Sequence, residues 1–111
     1  MIKRKVFGLT ILFIAPLLCA AETWSDVSLV DVNCSAKAKN NPDSHTRDCA
    51  LQCAKSGFGI VTSDGTFLKF DGQGNEQALT VLKSSQAKDH LRATVTGERE
   101  GDTIKVKSLK M

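Results

Sequence analysis

Phe58-Gly59-Ile60-Val61-Thr62-Ser63-Asp64-Gly65-Thr66-Phe67-Leu68-Lys69-Phe70 is the stretch on which the fold turns. Phe58 to Ser63 is rich in β-formers. Asp64-Gly65 is a two-residue turn signal, because glycine takes a positive φ without steric cost. Thr66 to Phe70 then returns as a second strand. A hairpin is therefore expected here.

Working outward, Asp71-Gly72-Gln73-Gly74 breaks the second strand. Asn75 can cap a short helix carrying Ala78, Leu79 and Leu82 on one face. Beyond it, His90 to Gly97 alternates Leu91, Ala93 and Val95 with polar residues. Thr103 to Leu109 alternates Ile104 and Val106 with Lys105 and Lys107, and Gly101 lies in the turn between them. This predicts a second hairpin.

Towards the N-terminus, Ser28 to Asn33 reads as a strand on which Val30, Val32 and Cys34 share one parity. Val27, Leu29 and Asp31 share the other. The parity with two valines points Cys34 inward. Residues 36–46 form a polar loop, and Asn41-Pro42 or Ser44 can start a helix that runs through Cys49 and Cys53. Gly57 supplies a stop.

The order is strand, helical insert, strand, strand, helix, strand, strand. Without the insert it matches a mainly β, five-stranded OB-like barrel with a helix between the third and fourth strands. Closure would remove exposed strand edges. The rival arrangement is an open α+β sheet with one helix on one face.

The chain has 111 residues, with 15 Lys+Arg against 12 Asp+Glu. Lys3-Arg4-Lys5, the apolar run Val6 to Leu18 and the small residues Cys19-Ala20-Ala21 follow the grammar of a signal peptide. Residues 1–21 are thus expected to be cleaved, leaving 22–111 as one domain, periplasmic or secreted. The run is too short for an ordinary membrane span. An uncleaved anchor and lipidation of Cys19 are the alternatives, although Leu18 is not the small residue that lipidation favours. The formal charge of +3 equals the charge of the three leader cations, so the mature chain is formally neutral. Neutrality argues against a nucleic-acid partner. An envelope ligand or protein is expected instead, with the mature domain not embedded in the membrane.

A small domain with few aromatics (Trp24, Phe58, Phe67 and Phe70) gains from a covalent or metal staple. The mature chain keeps Cys34, Cys49 and Cys53, an odd number. Cys49 and Cys53 lie one helical turn apart, with Cβ atoms about 5–6 Å from each other, whereas a disulfide needs about 3.8 Å. Cys34 is therefore the expected partner of Cys49 or Cys53, in a bridge that fixes the insert and contributes ~3 kcal/mol. The alternative is a metal site of Cys34, His45, Cys49 and Cys53, for Zn or Cu(I), with Asp31 behind a bound histidine. His45 and Cys53 would be about 12 Å apart on one continuous helix. They can share an ion only if the helix begins after His45. A redox-active thiol is a third use, although the chain lacks Cys-x2-Cys.

Asp31 is otherwise read as a strand-end carboxylate facing water or a cap, and Arg47-Asp48 as a solvated helix face. His90 has no evident partner in the sequence. The aromatics are read as core rather than stacking platforms, and Lys105, Lys107 and Lys110 as charges that protect an edge strand. No phosphate loop, nucleophilic serine motif or paired-carboxylate motif is present, so a non-catalytic binding module is expected rather than an enzyme.

The run Leu29-Val30-Asp31-Val32-Asn33-Cys34, followed by His45-Thr46-Arg47-Asp48-Cys49-Ala50-Leu51-Gln52-Cys53, resembles a group of small exported bacterial OB-fold-like proteins with an Asp-x2-Cys … His-x3-Cys-x3-Cys pattern. Val95-Thr96-Gly97 and Gly101-Asp102-Thr103-Ile104-Lys105-Val106 resemble the last hairpin of OB-like envelope domains. The group has a glycine near the start of its first strand, where this chain has Trp24-Ser25-Asp26. The resemblance implies fold and location and names no activity.

Overall fold

Strand β1 (Glu22–Asp31) is long enough to pair along both of its edges. A computed structural model describes residues 21–111. Residues 1–20, on which all but the last residue of the expected signal peptide and the candidate lipidation site Cys19 fall, lie outside the described residues. The C-terminal half of β1 runs antiparallel to β2 (Phe58–Val61), with Leu29 opposite Ile60 and Asp31 opposite Phe58. Its N-terminal half runs antiparallel to β4 (Arg92–Glu100), with Trp24 opposite Val95 and Val27 opposite Ala93. The register shifts between Trp24 and Val27, where Asp26 has φ 54. Such a bulge bends a strand and lets one strand serve both sides of a small barrel.

β2 pairs with β3 (Phe67–Phe70) through the expected turn, where Gly65 has φ 85. β3 runs parallel to β5 (Thr103–Lys110), and β5 pairs antiparallel with β4. The closed order β1-β2-β3-β5-β4 is that of an OB-like barrel, so the open α+β sheet is excluded. β1 begins six residues before the expected Ser28 and ends at Asp31, two residues short of Asn33. β4 begins at Arg92, leaving His90 in the preceding turn with φ 50.

Helix α3 (Gly72–Ser84) closes one end of the barrel. Its cap is Asp71, whose Oδ1 accepts from Gly74 N at 3.0 Å and from Val106 N at 3.2 Å. The expected cap, Asn75, lies inside the helix and accepts from Phe58 N at 2.8 Å instead. Gly74, Ala78 and Leu82 line up at i, i+4, i+8 on the buried face. A Cβ on Gly74 would sit 2.4 Å from Val106 Cγ2, so the missing side chain is what lets the helix approach so closely.

The barrel core holds Leu29, Phe58, Ile60, Leu68, Val95 and Ile104 among others, all nearly inaccessible. Val27 and Leu29 point into it. Val30 faces the other way and packs with Val61, Ala38 and Phe67 under the insert.

The insert spans Val32 to Ser56. It contains α1 (Ser35–Ala38), a 3-10 turn at Pro42–Ser44, α2 (Arg47–Gln52) and a 3-10 turn at Ala54–Ser56. The expected loop at 36–46 is therefore partly helical. The cysteine-bearing helix starts later than expected, because Thr46 is its cap and accepts from Cys49 N at 3.1 Å. α2 also stops at Gln52 rather than running through Cys53, so Gly57, with φ 91, ends the following 3-10 turn and not the helix.

Candidate functional site

β1 places Asp31 on the parity of Val27 and Leu29, at the point where the strand gives way to a 3-10 turn (Val32–Cys34). A carboxylate in a core-facing position must find partners, since an unpaired buried charge costs several kcal/mol. Asp31 is fully buried and is satisfied on both oxygens. Oδ1 accepts from His45 Nε2 at 2.6 Å, and Oδ2 accepts from Cys34 N at 2.9 Å. It is thus a cap, as one sequence reading allowed, but it does not face water. The Asp31–His45 pair ties the insert to the end of β1, and the His45 side chain is itself buried.

His45 reaches Asp31 because the helix begins after it. Its backbone is extended (φ −71, ψ 127), which turns the ring back towards β1.

The same turn carries Cys34. The strand ends before it, and Val30 faces the insert rather than the barrel core, so the expected inward row of Val30, Val32 and Cys34 is not formed. One ligand atom each of Asp31, Cys34 and Cys53 lies within 4.8 Å of the others. Cys53 enters as the C-cap of α2, and its Sγ accepts from Asn33 Nδ2 at 3.6 Å. Burial pushes the Cys34 thiol up to about 11, and the Asp31 charge, its hydrogen bond and Cys53 act in the same direction. Removing a proton there would place a second negative charge beside Asp31.

The sequence-derived four-ligand set is therefore rearranged. Cys34 and Cys53 come together, Asp31 joins them directly, and His45 reaches the carboxylate rather than the cysteine pair. Cys49 stays outside the cluster and is exposed. It lines a neighbouring cleft of about 270 Å³, which Cys34, Lys37 and His45 also border. The signal for Asp31 was its parity with Val27 and Leu29, which marks it as inward rather than solvated.

All three cysteines among the described residues are free, so the expected bridge is not formed in this structure. Non-covalent contacts hold the insert instead. Val32 N donates to Gly57 O at 2.9 Å, and Asn33 N to Ser56 Oγ at 3.0 Å. Arg92 grips Asp43 through two hydrogen bonds of 2.9 and 2.8 Å. Arg47 is no solvated residue, since its Nη1 donates to Ser85 O. Asp48 is exposed, as expected.

His90 pairs with its neighbour Asp89 at 2.9 Å. Lys105 and Lys107 meet Glu100 and Glu98 across the β4–β5 pair, so they are not edge guards on a free strand. Comparison with protein-family models, curated proteins and solved structures returns no match.

Proposed function

We propose that the chain is an exported, non-catalytic binding module of the cell envelope, and that its ligand is a zinc-class cation held by Cys34, Cys53 and Asp31. The supporting observation is the convergence of two sulfurs and a carboxylate oxygen within 4.8 Å. Zinc accepts sulfur and oxygen donors together, whereas copper(I) favours the sulfurs alone. A carboxylate in the cluster therefore favours zinc. The two oxygens of Asp31 offer about four lone-pair sites, and two hydrogen bonds leave room for a metal. His45 would then fix the orientation of a ligating carboxylate. A fourth donor from solvent or a bound molecule would complete four-coordination.

Two features support the insert, rather than the barrel wall, as the working surface. Ala38 packs over Val30 and Val61, on the outer face of β1 and β2. The Phe67 ring lies against Gly59, where a Cβ would meet it at 2.6 Å. Those contacts occupy the aromatic that could otherwise stack a base, in keeping with the formal neutrality of the mature chain.

The test is zinc content of the reduced protein after dialysis against a weak chelator. About one ion per chain is expected. Cys34→Ser and Cys53→Ser should lose it, and Cys49→Ser should keep it. No uptake, or equal uptake by all three variants, would overturn the reading. Uptake of copper(I) unchanged by Asp31→Asn, with no zinc bound, would assign the site to a two-sulfur ion.

A further inference from the structure

We infer that Cys34 and Cys53 also form a reversible disulfide, so that oxidation removes the two sulfurs from the cation. The bond itself stands on the geometry alone, while its consequence for the cation rests on the function proposed above. The two sulfurs already lie within 4.8 Å of each other. Cys34 ends the short 3-10 turn Val32–Cys34, and Cys53 caps the 3-10 turn Ala54–Ser56. Those turns are joined by Val32 N to Gly57 O and Asn33 N to Ser56 Oγ, so the two backbones are held side by side before any bond forms. Cys49 has no such placement. It is exposed and one turn from Cys53, where the Cβ separation is about 5–6 Å against the ~3.8 Å a disulfide needs. The odd cysteine count thus resolves into one pair and one spare thiol.

The oxidant is a small-molecule disulfide of the glutathione class. One of the two cysteines, as thiolate, attacks a sulfur of the added disulfide. Its S–S bond breaks, and the first leaving thiolate takes up the proton that the cysteine lost. The second cysteine then attacks the protein sulfur of the mixed disulfide, and the second small thiolate leaves with the second proton. Two protein thiols and one small disulfide give one protein disulfide and two small thiols. Two electrons pass from the cysteine sulfurs to the added disulfide. A thiolate ligates metal and a disulfide sulfur does not compete with it, so the ion is released.

The experiment isolates the protein from cells expressing the whole chain and equilibrates it in glutathione redox buffers with zinc present. Samples are quenched in acid, alkylated, digested and mapped, and bound zinc is measured in parallel. Full oxidation should give a Cys34–Cys53 bridge, an alkylated Cys49 and loss of the bound zinc, all reversed by dithiothreitol. Cys49→Ser should behave like the parent, and Cys34→Ser should form no internal bridge. A bridge through Cys49, or three alkylatable thiols at full oxidation, would overturn the inference while leaving zinc uptake by the reduced protein intact. A Cys34–Cys53 bridge in a protein that never takes up zinc would support the bond and sink the cation reading.

Discussion

Asp31 is the residue on which the site depends. Its carboxylate is buried on the core-facing parity of β1, and its two oxygens join the insert to the strand end. Removing one member of a buried pair leaves the other uncompensated, which costs about 3–5 kcal/mol. Asp31→Ala should therefore lower unfolding stability by that order in urea titrations, and Asp31→Asn by less, since an amide oxygen can still accept from Cys34 N. Cys34 gives a second check at this scale. Its thiol is held near 11 by burial, by the adjacent carboxylate and by Cys53. In metal-free, reduced protein, alkylation of Cys34 should rise with pH towards a midpoint near that value. The thiol form of Cys34 favours the fold, so this contribution is complete below the ordinary value of 9.0 and is lost as pH climbs towards 11. An Asp31→Asn variant should shift the Cys34 midpoint downward.

At the scale of elements, the hairpins, the closing helix and the barrel order were legible because alternation and turn chemistry are local signals. Asp64-Gly65 sets its turn by backbone sterics alone. The insert was less legible. Cap position depends on which of several side chains reaches the free amides, and Thr46 won over the Asn41–Ser44 signals. That competition decides whether His45 lies on α2 or before it, and so whether it faces Cys49 or Asp31. Asn75 shows the same limit, since Asp71 took the cap and released it to hold Phe58 N. Of the candidate site, the residues were legible and their grouping was not. Parity with Val27 and Leu29 carried Asp31 inward, whereas Cys34 was read with Val30, whose row faces the insert, and β1 ends before Cys34 is reached. Gly74 packs tightly between α3 and the strands, where a Cβ would come within 2.4 Å of Val106 and 2.8 Å of Phe70. Gly74→Ala puts a methyl into a packed seam, and overpacking of this kind costs about 1–3 kcal/mol. Thermal unfolding should show the loss, although alanine is the better helix former.

Over the whole molecule, side-chain hydrogen bonds that couple barrel and insert include the Asp31–His45 pair, the Asp43–Arg92 clamp and the Arg47 bond to Ser85. Arg92 holds the Asp43 carboxyl below the ordinary 3.8. The stabilisation from this clamp is thus present above 3.8 and is lost as pH falls through the depressed native value. The stability gap between the parent and Asp43→Asn should narrow on acidification below 3.8 and should shrink with added salt. These couplings hold the insert without a covalent bond and leave Cys34 and Cys53 free for a cation or for each other. The most direct measurement is a cobalt(II) titration of the reduced protein, because cobalt occupies zinc sites and reports bound thiolates by a sulfur-to-metal charge-transfer absorption. The absorption should saturate at about one ion per chain. It should vanish in Cys34→Ser and in Cys53→Ser and persist in Cys49→Ser. A spectrum with no thiolate absorption in the parent, or one that survives loss of both Cys34 and Cys53, would contradict the site.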